Sequence, residues 1–310
     1  MHTRLNFLPH PTDDTELGIA ETSSERSLEI RKNSVLGNVS VRLARSLEEI
    51  QAAQHLRYQV FFSELGASAD APARTAQRDV EALDDVADHL IVVDDRRVND
   101  NLGVVGTYRL LRGDVRPTNC AFYSGGEFNI DRLLRSKAKL LELGRSCVLR
   151  EYRQSPVLQL LWKALALYVA KHRIEIMFGC ASFHGTDPAL IEQELAYLYH
   201  YHLARPALRP YAVGPEAVTC NRLAKNQIDP TRVLRCLPPL IRGYLQLGAK
   251  FGLDAYRDTS FNAIDVCVVL PTADLAIKYV RHYERECAVN LQPVTDDALE
   301  FQPGYGRRDD

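Results

Sequence analysis

The sequence predicts an α/β fold, a mixed and twisted sheet flanked by helices, and three observations carry that prediction. Lys139–His172, KLLELGRSCVLREYRQSPVLQLLWKALALYVAKH, combines an apolar strand, a short arginine-bearing turn and a long amphipathic helix. Alternating polar and apolar runs take turns with capped helical segments through the middle of the chain. At 310 residues and 46% hydrophobic content, the chain can bury a large core, in one domain or two intimately packed halves.

Residues 1–36 are polar, of mixed charge and without period, and are expected to be a disordered leader. Asn38–Ala44 (NVSVRLA) alternates and predicts a strand. Ser46 opens SLEE, a capping box with Glu49, and the helix should run to Gly66. Residues 67–82 are small and polar and predict a loop. His89–Asp94 and Gly103–Leu111 predict two strands joined by a turn, and 112–136 an irregular stretch turning at Gly125–Gly126. After the strand and helix of 139–172 comes a buried strand over Ile174–Phe183. Asp187 and Pro188 form an N-cap and first helical position for a helix to about His202. Pro238-Pro239 opens another helix, and Asp265–Leu270 is a late buried strand. The domain is expected to span 37–290, with a loose tail over 291–310.

Charge narrows the function classes. Charged residues make up 25% and the formal net charge is −2, so no global basic excess points to nucleic acid. The seven cysteines form no CxxC pair, and several sit in apolar runs, as expected of reduced structural thiols in a cytoplasmic protein. No apolar run reaches the roughly 18–20 residues of a spanning helix, and no secretory signal is visible. A cytoplasmic protein, soluble or peripheral at a membrane, is expected.

Glu142 and Arg145 are the leading chemical candidates. A carboxylate inside an apolar strand is costly unless paired or used. Residues three apart on a regular strand face opposite ways, and a bulge at Leu143–Gly144 would unite them, with Gly144 tolerating it. Glu142 could then take a proton from an attacking amine, and Arg145 could tune it or hold a carboxylate; a structural ion pair is the alternative. Ser155 and Pro156 fit a helix start, whose N–H groups can meet an anion. Arg57, Asp84, Asp85, Asp88 and Arg109 read on their own as solvated charges. The three aspartates lack calcium-loop register, so no metal is expected. Cys147 is the cysteine closest to an arginine-rich setting. The helix holding Tyr197, Tyr199 and Tyr201 offers either a phenol to protonate a leaving thiolate or plain packing. Small residues at Gly179–Phe183 leave either a slot for a pantetheine arm or room for a close helix.

Seven segments together resemble the ornithine N-acyltransferases of bacterial ornithine-lipid synthesis, a branch of the GCN5-related N-acyltransferase superfamily. They are LRYQVFFSELGA (56–67), DDVADHLIVVD (84–94), GVVGTYRLL (103–111), FYSGGEFNI (122–130), LLELGRSCVLREYR (140–153), GCASFHGTDP (179–188) and LPPLIRGYLQLGAKFG (237–252). They span about residues 38–285. A charged set similar to that of the acyl-homoserine-lactone synthases is present as Arg57, Phe61, Asp84 or Asp85, Asp88, Arg109, Glu142 and Arg145.

The resemblance implies a GCN5-related N-acyltransferase fold with central strands splayed beside 140–149. It implies transfer of a 3-hydroxyacyl group from acyl carrier protein to the α-amine of L-ornithine, giving lyso-ornithine lipid for a separate O-acyltransferase. Rival acceptors within the wider group are homoserine-lactone precursors and other amino acids, and a non-catalytic acyl-binding protein is a third reading. Glu142 is the expected base, and Arg145 is expected to tune it or, with Arg109, to hold the amino acid carboxylate. Arg57, Phe61, Asp85, Asp88 and Arg109 are expected around the acceptor. Backbone N–H groups of Cys147–Leu149, with Arg153 and Ser155, are expected around the donor. The superfamily's glycine-rich turn is here Arg153-Gln-Ser-Pro-Val-Leu158, poorly made for a coenzyme A pyrophosphate. No resident cofactor is expected, because the donor is a phosphopantetheinyl thioester on a carrier protein that basic residues such as Arg150, Arg153, Lys163 and Lys171 would meet. The apolar product implies transient contact with the inner face of the cytoplasmic membrane.

Overall fold

A computed structural model describes residues 29–34, 37–117, 120–153 and 157–275. Strands β1 (Glu29–Ser34) and β2 (Gly37–Leu43) form a hairpin at one sheet edge. β1 lies inside the expected leader; its charged sequence suits an edge strand, and polarity alone does not separate the two. The expected tail lies outside the described residues. Ser46 caps α1 (Leu47–Tyr58), its Oγ accepting the Glu49 N–H at 3.4 Å. A π-helical stretch, Gln59–Glu64, extends α1 towards Gly66, whose φ of +76° suits a glycine stop. The expected loop at 67–82 contains a short helix, α2 (Ala71–Ala76), capped by Asp70.

β3 (Asp88–Asp94) and β4 (Val104–Arg112) follow, then the short β5 (Phe128–Asn129) and α3 (Asp131–Arg135). The strand and helix of the central segment are β6 (Leu140–Val148) and α4 (Val157–His172). β7 (Ile176–His184), α5 (Glu192–His202), β8 (Tyr211–Ala212), β9 (Ala217–Thr219) and α6 (Pro230–Cys236) come next. α7 (Pro239–Leu247), β10 (Lys250–Asp258) and β11 (Ala263–Pro271) end the described fold.

The main sheet runs β1-β2-β3-β4-β6-β7-β11-β10-β9, and β5 pairs with β8 apart from it. β6 and β7 are parallel and the other described neighbours antiparallel. All of β11 is buried, as its apolar run AIDVCVVLP requires of a strand covered on both faces. α4 lies over β2, β3 and β4. Its Leu160, Leu161, Leu165 and Tyr168 are buried, each contributing about 1.5–3 kcal/mol. Among the described residues, no helix is long and apolar enough to cross a membrane.

β6 and β7 pair only over Leu140–Glu142 against Ile176–Phe178, then part. Gly179 marks the parting: a Cβ there would lie 2.2 Å from the Leu143 carbonyl oxygen. The small residue therefore serves strand-to-strand approach, and the residues after it face the gap.

Candidate active site

A cavity of about 240 Å³ opens where the strands diverge. β6 supplies Glu142 and the stretch Leu143–Ser146, β7 supplies Cys180 and Ser182, and β11 supplies Asp265. Glu142 is 3% exposed, and the N–H groups of Tyr123 and Ser124 donate to its two oxygens at 3.0 and 2.7 Å. Burial raises its carboxyl above the ordinary carboxylate range, outweighing those donors. Such a group is a stronger base than an exposed glutamate, yet is held in a fixed direction.

The strand bulge falls two residues later than the sequence suggested. Arg109 pairs with Gly144 and Thr107 with Cys147, so Tyr108 alone faces Arg145 and Ser146. Arg145 itself takes the left-handed conformation, with φ of +51°. That costs an L-residue about 1–2 kcal/mol, which its tertiary contacts must offset. Arg145 Nε donates to Asp79 at 3.0 Å and a terminal nitrogen to Glu81, while the guanidinium lies 4.6 and 4.5 Å from the Tyr123 and Phe261 ring centres. The bulge thereby turns Arg145 to Glu81, which also holds Arg109, whose guanidinium in turn reaches Asp84 at 3.2 Å. Arg57, with no exposed surface, makes a two-pronged pair with Asp84 at 2.9 and 2.7 Å and meets Asp79 at 2.8 Å. Asp84 is consequently held well below the usual carboxylate range, although burial pulls the other way.

These positions revise several expectations. Arg57 and Arg109 belong to the network beside the cavity and do not line it. Asp84, and not Asp85, joins them: Asp85 is exposed. Asp88 accepts from the Tyr168 hydroxyl at 2.5 Å, on the strand face opposite that of its neighbour His89. Phe61 does line the cavity. Cys147 is buried away from it, and burial pushes its thiol up to about 12, which removes thiolate chemistry at neutral pH. The Leu149 N–H donates to Val105 at 2.9 Å, so it is committed to the sheet. Arg153 is bonded to both Glu64 oxygens at 2.6 and 2.7 Å. Ser155 and the turn at Pro156 lie outside the described residues. None of Tyr197, Tyr199 and Tyr201 lines the cavity.

A model of the acetyltransferase (GNAT) domain matches residues 56–163. The chain is 41% identical to the L-ornithine N(alpha)-acyltransferase of Agrobacterium fabrum, over 81% of this chain and 87% of that one. It is 38% identical to that of Rhizobium meliloti, over 90% and 97%. The chain belongs to the L-ornithine N(alpha)-acyltransferase family. It is an N-acyltransferase of GNAT fold. It is also similar to FeeM, an N-acyl amino acid synthase from uncultured soil microbes, at 11% identity and a TM-score of 0.42, over 78% of this chain and 97% of that one.

For an N-acyltransferase the cavity holds groups that sequence reasoning missed. The hydroxyls of Tyr108 and Tyr244 are hydrogen-bonded to each other in its wall. Burial pushes Tyr108 up to about 12 and raises Tyr244 too, keeping both phenols protonated. Trp162 packs edge-on against Tyr244 at 5.3 Å and fixes it. The signal for Tyr108 was its place in GVVGTYRLL, beside Arg109; Tyr244 carried none beyond an amphipathic helix.

Proposed function

We propose that this chain transfers a 3-hydroxyacyl group from an acyl carrier protein thioester to the α-amine of L-ornithine, forming lyso-ornithine lipid. The observation that carries the proposal is the buried, upshifted Glu142 in the gap between parted strands, in a chain of this family. The thioester carbonyl would lie along the β6 side of the gap. The amine attacks it directly, forming the C–N bond, while Glu142 takes the amine proton through water. The N–H groups of the cavity-lining Arg145–Ser146 bulge are the better candidates for the oxyanion donor, since Leu149 is committed elsewhere. Collapse of the tetrahedral intermediate breaks the C–S bond, and the Tyr108–Tyr244 pair returns a proton to the departing thiolate. Arg150 and Lys171 are exposed and support a meeting with an acidic carrier protein, whereas Arg153 is occupied by Glu64. No resident cofactor enters this chemistry.

Glu142→Gln tests the base. Ornithine-dependent release of free carrier-protein thiol should fall about 100-fold or more, with the folded state retained by circular dichroism. Near-normal turnover in a folded variant removes Glu142 from that role. A panel of amino acid acceptors tests the ornithine reading itself.

A further inference from the structure

The cavity wall also carries an acid that this acyl transfer does not use, Asp265, with Glu127 close to it but outside the cavity lining. Asp265 of β11, Glu127 just before β5 and Cys180 of β7 bring their polar atoms within 4.8 Å of one another. Asp265 is 4% exposed and Glu127 6%. Cys180 directs its thiol to Glu127 at 3.2 Å. Asp265 lines the cavity, and its buried Oδ1 has no hydrogen-bond partner among the described residues. Arg145 is the described cation whose charge reaches Asp265, but its guanidinium is already bound to Asp79 and Glu81. Nearby Asp258 is satisfied by its own turn, accepting from the N–H groups of Ser260 and Phe261 at 2.8 and 3.0 Å.

We infer that Asp265 and Glu127 receive the side-chain ammonium of the acceptor, and so select a diamino acid over a neutral one. The inference rests on the ornithine reading and specifies how that substrate is told apart. A buried carboxylate with an orphan oxygen is unfavourable alone and favourable beside a cation that donates to it. Burial raises both carboxyls above the ordinary range; Asp258's charge adds to both and Asp265's to Glu127, while a hydrogen bond with Glu127 draws Asp265 partly back down. Ser124 links the two ends of the site. The Ser124 N–H binds Glu142, and the Ser124 Oγ lies 3.6 Å from the Cys180 sulfur that contacts Glu127. Ser124 therefore stands between the group that would take the α-amine proton and the acids that would take the other nitrogen. In ornithine those nitrogens are five bonds apart, about 6 Å when extended.

The test compares ornithine with norvaline, which has the same carbon chain without the terminal amine. The full-length protein is supplied with 3-hydroxyacyl carrier protein, and thiol release is followed. The wild-type protein should favour ornithine by about 100-fold or more in kcat/KM. Asp265→Asn should cut that preference by about 10- to 100-fold, chiefly through a higher ornithine KM, and Glu127→Gln should cut it as well. If both variants fold and keep the wild-type preference, the inference fails while the ornithine reading stands. If the wild-type protein uses norvaline as readily as ornithine, the inference fails without recourse to a variant. If it acylates another amino acid and not ornithine, the reading beneath falls first. The three acid and thiol groups could alternatively hold a metal ion. Loss of ornithine turnover on treatment with a chelator, restored by zinc, would assign the acids to that ion and overturn the inference.

Discussion

At the Arg145 end of the cavity three arginines meet three acids; at the Asp265 end two acids meet no described cation of their own. The first set is closed. Arg57, Arg109 and Arg145 are bonded to Asp79, Glu81 and Asp84, and Asp84 is driven far towards its ionised form. The second set is open, and its carboxyls are driven the other way. Asp79 and Asp84 are as buried as Asp265 and Glu127, so the difference is the counter-charge. A balanced buried network has little left to offer a ligand and acts as architecture, here holding a strained Arg145 in place. An unbalanced one is poised to bind.

The comparison breaks most sharply at Arg57. Replacing it with Met leaves Asp79 and Asp84 buried without their main partner, a loss of about 3–5 kcal/mol in chemical denaturation. If Arg57 instead served the substrate, Arg57→Met would unfold at the wild-type denaturant concentration and show only a raised KM.

At the open end the expected sign reverses. Glu127 has a folded-state pKa above its unfolded value, so the stability it contributes is present below about pH 4 and is lost as pH rises through the raised value. Glu127→Gln removes that loss and can still accept the Cys180 thiol. The variant should equal the wild-type protein near pH 4 and exceed it by about 1–2 kcal/mol or more at pH 8.5. A variant less stable at alkaline pH would mean that the acid already has its counter-charge in the empty protein. Together with the loss of ornithine preference, a stability gain would mark Glu127 as kept for binding and not for folding.

What could be foreseen follows the range of the forces involved. The Ser46 cap, the β6 strand and the α4 helix are local, and the sequence shows them plainly. Glu142 was legible because a lone acid among LLELG residues demands a reason. The bulge was displaced because Gly144 looked like the tolerant residue, whereas Arg145 is held left-handed by acids more than sixty positions away. Asp84 and Asp85 are neighbours in a 3-10 turn, and nothing local says which one faces Arg57. Tyr108 and Tyr244 meet across 136 positions, and Asp265 reaches Glu127 only once β11 is placed beside β7. Each is a long-range pairing of the kind that periodicity does not encode.

The smallest effect should be at Arg153, where two roles predict different numbers. Its guanidinium grips Glu64 at 2.6 and 2.7 Å and its Nε donates to the Val148 carbonyl at 3.0 Å, with both partners partly exposed. Solvent screens such a pair, so Arg153→Ala should cost no more than about 1 kcal/mol. With the charge already matched by Glu64, the KM for acyl carrier protein should stay within about twofold of the wild-type value at moderate salt. A larger rise in that KM, shrinking as salt is added, would show that Arg153 leaves Glu64 to meet the carrier. The Arg153–Glu64 pair would then belong to the docking surface, apart from the buried network beside the cavity.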